Sequence, residues 1–174
     1  MENKKTVLEN QDLLLEIHSH GGELTRIYDK NHCREVLWEG TPTIWGRHAP
    51  ILFPFIGKLY GGTYRFEGKE YPMSAHGFAR DMEFELLSKT EDTVWYGLKD
   101  TEETYEKYPF HFRLEAGHRL DGNCVHVMWK VTNTGESNLY FMLGGHPAFK
   151  TLDGGSIYDF TLDFYRKEDE PLHY

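Results

Sequence analysis

The sequence predicts an all-β fold, an antiparallel β-sandwich that carries one short helix. Three observations predict it. Apolar and polar residues alternate with a period of two along several runs, turn-forming residues recur at short intervals, and one segment alone has the end signals of a helix. At 174 residues the chain suits one domain with a sizeable core, or a portion of a larger one. No repeat, low-complexity linker or compositional break divides it, so residues 1–174 are read as a single domain.

Taken in chain order, "DLLLEIHSHGGELTRIYDK" reads as two strands broken at Gly21-Gly22. "WGRHAPILFPFIGKLYGG", from Trp45 to Gly62, mixes Pro50, Pro54, Gly57, Gly61 and Gly62 with large apolar residues. Proline removes a ladder donor, so this stretch reads as an ordered segment crossing a sheet surface. "TYRFEGKEYPM" is a hairpin turning at Glu67-Gly68, and "TVWYGLKD" is another strand. "DTEETYEKYP" is the helix, about two turns long, with Asp100 as N-cap, Glu103 three residues on, and Pro109 as the stop. In "FHFRLEAGHRL", Phe110, Phe112, Leu114 and Ala116 share one face. In "CVHVMWKVTN", Val125, Val127, Trp129 and Val131 do the same. "DGN", Asp121 to Asn123, joins the two as a hairpin.

Composition excludes several classes. Lys and Arg number 19 against 28 Asp and Glu, a net charge of −9, which argues against nucleic acid or an anionic membrane as partner. Aromatics are 15% of residues, which suits both a β core and stacking platforms for sugars. Cys33 and Cys124 lie far apart and form no CxxC pair. "MENKKTVLEN" has no apolar signal-peptide core and no run reaches membrane-span length, so a reduced cytoplasmic protein is expected.

Two histidines stand in apolar settings, His76 in "YPMSAHGFAR" and His146 in "GGHPAF". Gly77 and Pro147 follow them, residues that set unusual or fixed backbone angles and so hold a side chain at a defined angle. Histidine exchanges protons near neutral pH. The alternative is a pair of core histidines bonded to backbone. Arg47 and Arg80 stand near these motifs and offer forks of donors for hydroxyls or anions; the alternative is an ordinary ion pair. His18 and His20 in "HSH" lack a third ligand at a recognisable spacing, so no metal is expected. No GxSxG, P-loop or GxGxxG occurs, and the acidic "EDEP" reads as a solvated loop.

"RHAPILFPFIGKL", "YPMSAHGFARDMEFE" and "VTNTGESNLYFMLGGHPAF" together resemble the aldose 1-epimerase (galactose mutarotase) family, in its bacterial LacX-like branch. The resemblance runs from about Leu13 to Phe160. It implies a large antiparallel β-sandwich and an isomerase that interconverts the α and β anomers of a free hexose without a cofactor. A base takes the C1 hydroxyl proton while an acid protonates the ring oxygen; the C1–C2 bond rotates and the ring recloses. By position, His146 matches the family's acid and His76 its second histidine, which orients the sugar. Arg47 matches the arginine that contacts sugar hydroxyls, with Arg80 nearby. Trp45, Phe78 and Phe149 are expected as wall residues.

The family's general base is a glutamate from later in a longer chain, and no acidic residue matches it. Asp81, Glu83 and Glu85 fall at other family positions. The chain therefore resembles the N-terminal portion of the sandwich, whose open edges would favour self-association into a homo-oligomer. Three functions follow: aldose 1-epimerase, hexose-6-phosphate 1-epimerase with Arg47, Lys58 and Arg80 near the phosphate, or a sugar-binding protein without catalysis.

Overall fold

The computed structural model describes residues 4–151, 155–161 and 163. The "EDEP" stretch lies outside them. Two four-stranded antiparallel sheets form the frame. The first runs in the order β1-β2-β3-β4, built from β1 (Lys5–Glu9), β2 (Leu13–His18), β3 (Leu24–Asp29) and β4 (Arg34–Glu35). Alternation decides which side of β2 faces inward: Leu13, Leu15 and Ile17 are buried, while Leu14, Glu16 and His18 are partly exposed. The Asn10 side-chain oxygen accepts the Asp12 and Leu13 N–H groups, each at 2.9 Å, and closes the turn between β1 and β2.

Between the sheets, two short pairs cross the surface. β5 (Ile51–Leu52) later meets β12 (Gly144–Gly145), while β6 (Thr63–Phe66) and β7 (Lys69–Pro72) form a hairpin around Glu67-Gly68. The second sheet contains β8 (Glu85–Lys89), β9 (Thr93–Lys99), β10 (Phe112–Asp121) and β11 (Cys124–Asn133), in the order β11-β10-β9-β8. The β10–β11 hairpin turns through Gly122-Asn123, with Asp121 opposite Cys124.

Leu8, Leu15 and Ile17 of the first sheet join one core with Val94, Tyr96, Phe112, Leu114 and Ala116 of the second. Each large apolar side chain withdrawn from water there contributes roughly 1.5–3 kcal/mol. A buried hydroxyl pair, Thr6 with Tyr96 at 2.6 Å, ties the sheets together.

The helix α1 (Glu102–Lys107) forms where expected but is capped differently. Thr101 and Thr104 make the capping box, and Glu103 bonds Lys107 instead. Asp100 is drawn away because its carboxylate accepts the Phe112 N–H at 3.1 Å and sits 2.7 Å from His111 Nδ1. Among the described residues, no helix is long and apolar enough to cross a membrane.

Candidate active site

The segment from Pro50 to Pro54 is the rib on which the site is assembled. On one flank Gly144 and Gly145 pair with Leu52 and Ile51, and the His146 N–H donates to the Pro50 carbonyl at 3.1 Å. On the other flank Gly77 pairs with Phe53, bringing in His76. Two histidines 70 positions apart thus become neighbours, with ring centroids 5.8 Å apart and planes at 75°. The Trp45 ring lies 5.1 Å from that of His146.

Local chemistry fixes His76. Its φ is +67°, a left-handed angle that is uncommon and costly away from glycine. Its N–H donates to the Gly57 carbonyl at 2.8 Å, and the Gly57 N–H donates to its Nδ1 at 3.1 Å. Gly77 follows at φ +75° because its backbone lies against Phe53, where a Cβ would come within 2.6 Å of the Pro54 nitrogen. With Nδ1 accepting, the neutral ring carries its proton on Nε2, the one nitrogen left to meet a ligand. Burial lowers the His76 pKa, and the nearby Arg80 and His146 charges act in the same direction. The ring is therefore neutral at physiological pH. His146 is exposed, and its imidazole makes no hydrogen bond to the described residues.

The arginines are tied to this loop. Arg47 donates from Nη1 to the Arg80 carbonyl at 3.1 Å and pairs with Asp81 through Nη2. Arg80 donates to the Ala75 carbonyl at 2.8 Å, next to His76. Burial and the Arg47 charge lower the Arg80 pKa, while Asp81 opposes this. Arg47 and Trp45 also line a polar cleft of about 470 Å³ with His18, His20, Glu23 and His48. That volume is within the range of small-molecule sites.

Glu23 gave no sequence signal, yet it positions the cleft wall. Its buried carboxylate accepts the backbone N–H groups of His48 and Ala49 at 2.7 and 2.8 Å. Its only trace in the sequence is an acidic residue directly after Gly21-Gly22. Asp81, which matches no base of the family, is the partner of Arg47.

Two expected wall residues stand elsewhere. Phe78 is 8% exposed and packs against Phe53, Tyr108 and Phe112, so it belongs to the core. The left-handed turn at His76-Gly77 sends the next side chain inward. Phe149 bridges to Leu37 and lines an apolar cavity on the other side of the His146 strand. His20 Nδ1 lies 2.7 Å from a Glu83 carboxylate oxygen, and His18 lines the same polar cleft. Among the described residues, no cluster of three His, Cys, Asp or Glu is arranged to hold a metal ion.

Comparison with known proteins places the antiparallel β-sandwich in a family. Residues 4–168 match the Aldose 1-epimerase family model, so the chain belongs to that family. It is 32% identical over 169 residues to the plasmid Protein LacX of Lactococcus lactis subsp. lactis, covering 92% of this chain and 56% of that protein. A galactose mutarotase-like protein from Lactobacillus casei superposes with a TM-score of 0.82 at 38% identity, over 85% of this chain and 50% of that one. A galactose mutarotase related enzyme from Lactobacillus acidophilus gives 0.82 at 36%, over 84% and 49%. The chain spans about half the length of the relatives it matches.

Proposed function

We propose that these residues form the N-terminal portion of one sandwich domain and supply the acid side of an aldose 1-epimerase acting on a free hexose. The observation that carries this reading is the approach of His76 and His146 to 5.8 Å, with Trp45 beside them. Trp45 gives the sugar a stacking face. The Nε2–H of neutral His76 donates to a sugar oxygen and orients it. His146 gives a proton to the ring oxygen as a base takes the C1 hydroxyl proton, and the roles reverse on closure. A positioned acid of this kind is typically worth ~10²–10⁴ in rate.

Among the described residues, the carboxylates around the cleft are already engaged. Glu23 accepts backbone N–H groups, Asp81 pairs with Arg47, and Glu83 is held by Ser19 and His20. That observation favours a second reading for the chain acting by itself, in which it binds the sugar without exchanging its anomers. A phosphorylated sugar has less support. Arg47 and Arg80 already serve Asp81 and two carbonyls, and Lys58 is exposed outside the cleft.

Polarimetry of freshly dissolved α-D-galactose, then α-D-glucose, tests both readings beside a His146→Ala variant. Exchange that depends on His146 supports the epimerase. Sugar binding that depends on His146 without exchange supports the binder. Rates and affinities equal in both proteins would refute the assignment of His146.

A further inference from the structure

His20 stands where the first sheet meets the segment that follows His76. The Gly21 N–H donates to the Met82 carbonyl at 2.7 Å, the Phe84 N–H donates to the Ser19 carbonyl at 2.8 Å, and His20 bridges to Glu83. The side chains repeat that pairing. His20 Nδ1 lies 2.7 Å from Glu83 Oε1, and the Ser19 hydroxyl donates to Glu83 Oε2 at 3.0 Å. A carboxylate only accepts, so Nδ1 carries the hydrogen and the ring is held by it. No described residue bonds Nε2, and the side chain is 44% exposed. An imidazole clamped at one nitrogen and open at the other presents the open one to a ligand.

His20 lines the polar cleft of about 470 Å³ together with Glu23, Trp45 and Arg47, and neither His76 nor His146 is on that wall. Trp45 joins the two places, because it lines the cleft while its ring lies 5.1 Å from that of His146. Arg47 joins them as well. It donates to the Arg80 carbonyl, and Arg80 donates to the Ala75 carbonyl beside His76. A hexose ring set against His76 and His146 therefore leaves the cleft unfilled, and a group bonded to that ring reaches the cleft past Trp45.

The wall discriminates among such groups. An anion would meet the Glu23 carboxylate, with Glu83 behind His20, while Arg47 is already paired with Asp81. A metal ion finds no cluster of three ligands among the described residues. An apolar group would take His20 Nε2 out of water without a partner. A hydroxyl both donates and accepts, and so suits Nε2, while the Trp45 indole suits the apolar face of a sugar ring.

We propose that the cleft is a subsite for a second sugar unit, so that the substrate class extends from a free hexose to reducing disaccharides. The reacting hexose sits on His76 and His146, the attached unit sits by His20, and Trp45 lies between them. This subsite rests on the reading of the histidine pair as the sugar site. His20 is its specificity-determining residue, meeting a hydroxyl of the second unit through Nε2.

The test uses the ¹⁵N-labelled 174-residue chain and sets D-glucose against maltose, cellobiose and lactose, each of which carries a reducing glucose. Imidazole resonances read the contacts, and calorimetric titration reads the affinity. D-glucose should move His76 and His146 without His20. At least one disaccharide should move His20 with them along one saturation curve and bind ~5-fold or more tightly than D-glucose, the gain expected of a single hydrogen bond. In His20→Ala the ratio of disaccharide to glucose affinity should fall toward one. A His20 resonance that stays still with all three disaccharides would overturn the inference. So would one that moves equally with D-glucose, since that seats the reacting ring in the cleft. Failure of the histidine-pair reading looks different: His76 and His146 stay silent towards D-glucose. A disaccharide that then moved His20 alone would make the cleft a separate site and overturn the joint one.

Discussion

Replacing Gly77 with alanine perturbs the geometry that sets His76. An added Cβ would collide with the Phe53 carbonyl and come within 2.6 Å of the Pro54 nitrogen, all backbone atoms that cannot swing aside. The φ of +75° adds left-handed strain of about 1–2 kcal/mol. Relieving the collision moves Phe53, whose carbonyl accepts the Phe78 and Ala79 N–H groups at 3.0 and 3.2 Å, bonds worth about 1 kcal/mol each. The sum is about 3–4 kcal/mol. For a chain of this size that lowers Tm by roughly 10 °C. Gly62 supplies a matched reference, with φ +72° and nothing within 4 Å of an added Cβ, so Gly62→Ala carries the strain alone. Thermal unfolding of both variants by circular dichroism, with galactose affinity measured in parallel, separates collision from strain. Gly77→Ala melting within about 2 °C of Gly62→Ala, with affinity intact, would refute the reasoning.

Three further expectations follow from the same contacts. Burial lowers the His118 pKa from 6.5 to about 4, so below pH 6.5 the unfolded chain binds a proton that the folded chain refuses. Stability then falls as pH falls, by about 2 kcal/mol at pH 5. Urea midpoints across pH 7.5 to 5 should show a smaller acid loss in His118→Gln, and equal losses would count against it. Glu23→Gln keeps an acceptor for the His48 and Ala49 N–H groups but removes its charge, costing about 1 kcal/mol in urea unfolding. Asp81→Ala releases Arg47 and should weaken galactose binding up to ~5-fold in calorimetric titration while leaving Tm nearly unchanged, because the pair is half exposed.

The frame was legible where alternation is long. Phe112, Leu114 and Ala116 read as one inward face and are buried there, and the β10–β11 turn falls within "DGN". β5 and β12 were not legible, since two-residue strands carry no period, and those strands place His146. The helix was found, but its cap slipped by one residue because Asp100 bonds a neighbouring strand, a contact far from local pattern. At the site, the histidines and Trp45 were readable from motif and resemblance, and the structure draws them together. Phe78 and Phe149 are aromatic neighbours of the two histidine motifs, but local pattern does not say which way each ring points. A left-handed turn sends the first into the core, and strand alternation places the second on the cavity side. Glu23 was invisible because its role depends on backbone groups 25 and 26 residues away.

One titration bears most directly on the central claim that His76 and His146 form a single sugar site. D-galactose is added to the ¹⁵N-labelled chain while the imidazole resonances of the histidines are followed. His76 and His146 should shift together along one saturation curve, while buried His118 stays still. A chain in which neither ring responds, or in which only His18, His20 and His48 do, would contradict it.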